Sequence, residues 1–174
     1  MEIDMMKEPD VMVYLMTGFL DSGKTQFLNF TLSQDYFQID GKTLLILCEE
    51  GEEEYDPREL LKYGVVIETV EDKEDLTEEW LEEMNKKHKP ERVVIEYNGM
   101  WMLQDLANNL PENWIVYQCI ATADGTTALT YARDNSMRAL MLDKIARSEL
   151  IVFNRAEAVN NDAARQELHK LVRQ

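Results

Sequence analysis

The chain has few cysteines and no long apolar run. Two cysteines, Cys48 and Cys119, are too few and too far apart for a disulfide framework or a thiolate metal cage. The first ten residues are acidic and polar rather than basic and then apolar, and the apolar run at 11–16 is too short to cross a bilayer. These shortages predict a cytoplasmic protein with no membrane insertion.

Positive charge is also scarce. Eighteen Lys and Arg residues stand against 34 Asp and Glu residues, which gives a net charge of −16. A charge of this sign repels a phosphate backbone, so the composition predicts no nucleic-acid partner. It does not exclude a bound nucleotide, because one pocket of oriented backbone amides can attract an anion locally.

Proline and glycine are too rare to form an interdomain linker, with four and seven residues respectively. With 45% apolar residues in a chain of 174, we expect one domain spanning residues 1–174. Short apolar runs without alternation are typical of strands buried on both faces, and helical patterns separate them. The sequence predicts an α/β fold with a mainly parallel sheet and helices on both faces. The predicted strands are 11–16, 43–48, 65–67, 92–96, 114–121 and 149–153.

One motif between the first strand and a helix carries the clearest chemistry. Residues 18–25, GFLDSGKT, match the phosphate loop G-x-x-x-x-G-K-[ST]. Its amides surround phosphate, Lys24 reaches the outer phosphate oxygens, and Thr25 ligates Mg²⁺. Asp21 is unusual because its carboxylate would repel a polyphosphate. The predicted nucleotide-binding residues here are Gly18, Asp21, Ser22, Gly23, Lys24, Thr25 and Gln26.

Two further strand ends carry candidate site residues. Glu96 ends the strand RVVIE, where a carboxylate would hold Mg²⁺ or order water, and Gly99 would let the backbone approach a terminal phosphate. After the last strand, Asn154, Arg155 and Glu157 stand where guanine-specific proteins have Asn-Lys-x-Asp. Glu157 would accept from the base, and Arg155 would stack over it.

Taken together, GFLDSGKTQFLN, CEEGEEEYD, VVIEYNGM and IARSELIVFNRAEAV resemble the CobW/HypB/UreG family of P-loop GTPases, and most closely its CobW branch. Asp21 stands where that family has glycine. CobW-type members also carry a Cys-x-Cys-Cys motif before the third strand, and residues 68–81 contain no cysteine. The positions that match the family's motifs are Gly18, Gly23, Lys24, Thr25, Glu49, Gly51, Glu52, Glu96, Gly99, Asn154 and Glu157.

The resemblance implies a protein that binds GTP and Mg²⁺ and hydrolyses GTP slowly. Lys24 and Glu96 would act in catalysis, and Thr25, Glu96, Glu49 and Glu52 would lie on the metal side. The acidic stretch 49–56 would then be a solvated switch loop. The resemblance also suggests a metalloprotein or a permease as protein partner, leaves a homodimer open, and predicts that a C-terminal domain follows.

Two other functions remain compatible with the sequence. One is a P-loop kinase that uses ATP on a small molecule, for which Arg133, Arg138 and Arg147 are available. The other is a scaffold that binds nucleotide without hydrolysing it, which Asp21 favours.

Overall fold

The structure is a computed structural model that describes residues 10–49, 51 and 54–173. In these parts of the chain, six strands form one parallel sheet in the order β3-β2-β4-β1-β5-β6. This confirms the predicted α/β fold. The strands are β1 (Val11–Thr17), β2 (Thr43–Leu47), β3 (Val65–Thr69), β4 (Arg92–Glu96), β5 (Trp114–Asp124) and β6 (Leu150–Asn154).

Helices cover both faces of the sheet. Leu28 and Leu32 of α1 pack into one core with Leu60 of α2, whereas residues of α3 and α4 pack into a second core on other strand residues. Helices α5, α6 and α7 bury a third core around Phe19. The helices are α1 (Lys24–Leu32), α2 (Pro57–Lys62), α3 (Glu78–His88), α4 (Leu103–Asn109), α5 (Ala128–Arg133), α6 (Arg138–Arg147) and α7 (Asp162–Leu171).

The central strands explain why the apolar runs do not alternate. Residues 44–46 of β2 and residues 93–95 of β4 are fully buried, because each strand has a neighbour on both sides and a core on both faces. A strand in this position needs apolar side chains pointing both ways. Continuous apolar runs are therefore a reliable signal for this sheet.

Two differences between the structure and the sequence prediction bear on the site. Strand β5 continues from Ala121 to Asp124, because Thr122 and Asp124 pair with Val152 and Asn154 of β6. Helix α5 is not predicted from the sequence, because its six residues have no side-chain cap to mark where they begin. Helix α2 is equally short, but Asp56 caps it and Pro57 begins it. Both differences lie beside the phosphate-loop motif, and β5 adds polar residues to that end of the sheet.

All six strands are parallel, so their carboxyl ends meet at one end of the sheet. The register places Glu96 of β4 opposite both Met16 of β1 and Leu47 of β2. The loops that follow β1, β2 and β4 therefore converge, as they do where ligands bind in open α/β sheets.

Candidate nucleotide-binding site

The loop between β1 and α1 depends on glycine at two positions. Gly18 has φ +144°, and a Cβ there would lie 2.3 Å from the carbonyl oxygen of Thr122. Gly23 has φ +99°, and a Cβ there would lie 2.4 Å from Nδ2 of Asn154. These glycines are needed both for the left-handed backbone and for close contact with β5 and β6.

Asp21 also has a left-handed backbone, with φ +57°. Aspartate is among the few residues other than glycine that tolerate this conformation, which explains how it can stand where the family has glycine. Its side chain is exposed. Exposure to water limits the repulsion that its charge exerts on a bound phosphate.

Strand β5 contacts the phosphate loop through a hydrogen bond between two hydroxyl groups. Ser22 Oγ and Thr122 Oγ1 lie 2.7 Å apart in a buried hydrogen bond, and Thr122 also donates to the carbonyl oxygen of Thr17. Sequence analysis missed Thr122, because it follows the predicted end of the strand and belongs to no motif. The hydroxyl of Ser22 thus faces the protein, and its backbone remains part of the loop.

Lys24 is almost completely buried, with 3% of its side chain exposed. Its Nζ donates to the carbonyl oxygens of Gly18 and Phe19 at 2.8 and 2.9 Å, and forms an ion pair with Glu49 Oε2 at 2.6 Å. A lysine ammonium has three N–H donors, so the protein itself provides a partner for each. A phosphate that contacts Lys24 must replace at least one of them.

Thr25 and Glu96, the two residues predicted to hold Mg²⁺, are in direct contact. Thr25 Oγ1 donates to Glu96 Oε1 at 2.7 Å, and the hydroxyl of Tyr55 donates to Glu96 Oε2. Burial raises the pKa of Glu96, and the hydrogen bonds from Tyr55 and Thr25 oppose that shift. Sequence analysis missed Tyr55, since a tyrosine in an acidic loop has no distinguishing pattern.

The donor set at Thr25 and Glu96 fits Mg²⁺. A hydroxyl and a carboxylate are hard oxygen ligands, and Mg²⁺ at phosphate sites uses one or two protein ligands beside phosphate and water. Within the described ranges, no group of three or more His, Cys, Asp or Glu residues could hold a metal ion by protein ligands alone. The hydroxyl of Thr25 and the carboxylate of Glu96 therefore suit a metal ion that is also bound by phosphate.

The structure describes residues 49, 51 and 54–56 of the acidic loop that follows β2. Glu49 contacts Lys24, and it lines the same cavity as Thr25 and Glu96 without a hydrogen bond to either. Among the residues that the structure describes, a Cβ at Gly51 would meet nothing within 4 Å. Glu52, the other predicted metal-side residue of this loop, lies outside the described residues.

Gly99 packs directly on the phosphate loop. A Cβ at Gly99 would lie 2.5 Å from the carbonyl oxygen of Gly18 and 2.8 Å from Cα of Phe19. The absence of a side chain at Gly99 is thus needed for contact with the loop, and an approach of this backbone to a terminal phosphate stays a prediction. The Gly99 amide lies 3.4 Å from Glu49 Oε1, at the long end of hydrogen-bond range.

The residues after β6 fasten the phosphate loop from the other side. Asn154 Nδ2 reaches the carbonyl oxygen of Ser22 at 3.5 Å, and Arg155 donates to the carbonyl oxygen of Asp21 at 3.0 Å. Arg155 also forms an ion pair with Asp124. Its guanidinium is therefore engaged by these acceptors, and stacking over a base stays a prediction.

Asp124 and Glu157 differ in their surroundings. Burial acts to raise the pKa of Asp124, but hydrogen bonds from Thr126 and Arg155 outweigh burial and lower it. Glu157 is exposed in a single turn of 3₁₀ helix at Ala156–Ala158. It is not among the residues lining the cavity that Lys24, Thr25 and Glu96 share.

That cavity collects most of the predicted residues at one place. Among the described residues, the only arginine lining it is Arg155. Arg133 and Arg147 instead form ion pairs with Glu167 and Asp143 on the helices. The predicted site residues in the lining are Asp21, Gly23, Lys24, Thr25, Gln26, Glu49, Glu96 and Arg155.

Over the described part of the chain, no helix is long and apolar enough to span a bilayer. A search of curated proteins found no match. Among protein-family descriptions, CobW/HypB/UreG, nucleotide-binding domain, matches residues 12–174. This match covers the strands, the phosphate loop and the residues after β6, and the chain therefore belongs to the CobW/HypB/UreG family, of which it carries the nucleotide-binding domain.

Proposed function

We propose that the chain binds guanine nucleotides together with Mg²⁺ and hydrolyses GTP slowly. The observation that carries this proposal is the convergence of Lys24, Thr25 and Glu96 on one cavity at the carboxyl ends of β1 and β4. Each of these side chains has the chemistry that phosphoryl transfer needs at that place.

The loop supplies most of the phosphate binding. Amides of the loop, including those of Gly18 and Gly23, surround the phosphates, and Gln26 extends this surface at the first turn of α1. The Ser22 amide donates to the carbonyl oxygen of Phe19 at 3.2 Å and would exchange that partner for phosphate. Lys24 exchanges an internal partner for phosphate oxygens. Its charge, held in a buried setting, then stabilises the negative charge that develops as the terminal phosphate leaves.

Thr25 and Glu96 are the proposed ligands on the metal side. When bound there, Mg²⁺ would neutralise charge on the outer phosphates. Tyr55 holds one carboxylate oxygen of Glu96 and Thr25 holds the other, so the carboxylate is oriented before any ligand arrives. Glu49 and Glu52 remain proposed metal-side residues of the adjoining loop.

Asn154, Arg155 and Glu157 are the proposed base-side residues. Asn154 fixes the phosphate loop to β6, which sets the distance between phosphate and base. Glu157 would accept hydrogen bonds from N1–H and the 2-amino group of guanine. Adenine offers neither donor there, so a carboxylate facing it would lose its partners at a cost of a few kcal/mol.

The test is the nucleotide preference of the purified protein. We expect GDP to bind about 100-fold more tightly than ADP in the presence of Mg²⁺, and Glu157→Ala to remove most of that preference. Glu167→Ala, which removes an exposed carboxylate from α7, is the matched control. Equal affinity for the two diphosphates would overturn the guanine assignment.

Turnover separates the remaining functions. Slow release of phosphate from GTP, but not from ATP, supports the GTPase. Tight GTP binding without turnover supports a non-hydrolysing scaffold, and ATP turnover only with an added acceptor supports a kinase. A metalloprotein or permease partner and a homodimer are proposed on the family resemblance alone.

A further inference from the structure

The carboxylate of Glu49 receives donors from two separate loops. Lys24 Nζ, from the phosphate loop, lies 2.6 Å from Oε2, and the Gly99 amide, from the loop after β4, lies 3.4 Å from Oε1. Both carboxylate oxygens are thereby engaged. Only 10% of the Glu49 side chain is exposed, so its carboxylate contacts these donors and little water.

Those two donors are suited to an anion at the outer end of the phosphate loop. The ammonium of Lys24 is the group that reaches the outer phosphates in a phosphate loop. The Gly99 amide belongs to a backbone that packs on Gly18 and Phe19, so it borders the loop on the side of β4. A terminal phosphate placed between Lys24 and Gly99 would take the same hydrogen bonds as the carboxylate does.

We propose that Glu49 is an internal competitor of the terminal phosphate: its carboxylate occupies the place of the γ-phosphate, and a nucleoside triphosphate must displace it to bind. This inference rests on the proposed nucleotide binding and adds a specificity element to it. Lys24 retains its bonds to Gly18 and Phe19 while it contacts Glu49. A diphosphate has no γ-phosphate to place between Lys24 and Gly99, so it would not need to displace the carboxylate. Glu49 therefore weakens triphosphate binding selectively.

The size of the effect follows from the kind of bond that is lost. Glu49→Gln keeps the shape of the side chain but replaces the ion pair with Lys24 by a hydrogen bond from the ammonium to a neutral amide oxygen, which is weaker because the acceptor carries no charge. The triphosphate then displaces a weaker competitor. We expect its affinity to rise about tenfold, with the diphosphate affinity changed less than twofold.

The experiment measures the affinities of GDP and of a non-hydrolysable GTP analogue for wild-type protein and for Glu49→Gln. EDTA is present throughout, so that any role of Glu49 on the metal side does not enter. The matched control is Glu54→Gln, which removes the same charge from the same loop at an exposed position. Thermal unfolding is followed in parallel to show that each variant is folded.

The expected result is a selective gain for the triphosphate in Glu49→Gln that is absent in Glu54→Gln. An equal gain for both nucleotides would place the carboxylate on the inner phosphate and overturn the assignment. A lower melting temperature with both affinities unchanged would show that Glu49 only neutralises a buried lysine. If wild-type protein binds neither nucleotide, the proposed function itself fails, which is a distinct outcome.

Discussion

Thr25 and Glu96 are 71 positions apart in the chain, yet their side chains share a 2.7 Å hydrogen bond. Thr25 lies in the first turn of α1, directly after the phosphate loop. Glu96 is the last residue of β4, which pairs with β1. The parallel pairing of two central strands thus brings a hydroxyl and a carboxylate to the cavity that also contains Lys24.

Glu96→Gln tests the role of this pair. The amide keeps a hydrogen bond to Thr25 but binds Mg²⁺ far more weakly than a carboxylate does. We expect the gain in GTP affinity on adding Mg²⁺ to fall at least tenfold and GTP turnover to fall about 100-fold. Binding measured by calorimetry in EDTA should change little.

The control for that experiment is Glu112→Gln, an exposed position before β5 that loses the same charge. A normal Mg²⁺ dependence in Glu96→Gln would remove Glu96 from the metal side.

Gly99→Ala tests the contact between the β4 loop and the phosphate loop. The added methyl would lie 2.5 Å from the carbonyl oxygen of Gly18, so one backbone must move. We expect a loss of about 1–3 kcal/mol in the free energy of unfolding and at least tenfold weaker nucleotide binding. Chemical denaturation and nucleotide titration measure the two effects.

Gly51→Ala makes the same chemical change where a Cβ would meet none of the described residues within 4 Å. Because Gly51 lines the nucleotide cavity, this variant is the control for stability, which should stay close to wild type. Similar losses in both variants would show that the contact at Gly99 is not the cause.

Two substitutions of Asp21 separate its charge from its backbone conformation. Asp21→Gly and Asp21→Ala both remove the carboxylate, so both should tighten nucleotide binding several-fold. Only alanine is disfavoured at φ +57°, and we expect it to be about 1 kcal/mol less stable than the glycine variant. Unchanged affinity in both variants would show that the exposed carboxylate lies too far from the phosphates to matter.

We expect Lys144 to make the stability of the protein depend on pH. Burial lowers its pKa from the ordinary 10.5 to about 8, and its Nζ donates to the carbonyl oxygen of Trp101. Between these two values the unfolded chain binds a proton that the folded chain lacks. The contribution of Lys144 to stability should therefore rise with pH from about 8 to 10.5, by up to a few kcal/mol.

Denaturant unfolding of wild type and Lys144→Met across this range measures that contribution as a difference. The free energy of unfolding of wild type should increase relative to that of Lys144→Met as the pH rises. Lys170→Met, at an exposed position on α7, should show no such trend relative to wild type. A difference independent of pH would show that Lys144 keeps its proton in the folded state.

The local signals in the sequence were strongest for the strands and the phosphate loop. Residues 44–46 and 93–95 are apolar on both sides because they are buried on both sides, so composition alone indicated their structure. The loop was equally clear, since Gly18 and Gly23 stand where the backbone needs positive φ. Burial and backbone conformation here constrain residues that are close together in the chain, so a local sequence pattern can indicate them.

Contacts between distant residues had no such signal. Tyr55 meets Glu96, and Thr122 meets Ser22, only because the parallel strands place their carboxyl ends together. Helix α5 was missed because it is short and has no side-chain cap, and the end of β5 because its pairing partner is β6. These features depend on the arrangement of the sheet rather than on local composition.

The sequence by itself determined the α/β architecture, the phosphate loop and the residue types available for binding, because burial and backbone conformation constrain each short segment separately. Only the tertiary structure decided which of those residues meet. It placed Glu49 on Lys24, and it turned Arg155 toward Asp124 and the carbonyl oxygen of Asp21. The physical reason is that an ion pair or hydrogen bond forms only between side chains that lie close together, and the order of the strands in the sheet sets the distances between residues far apart in the sequence.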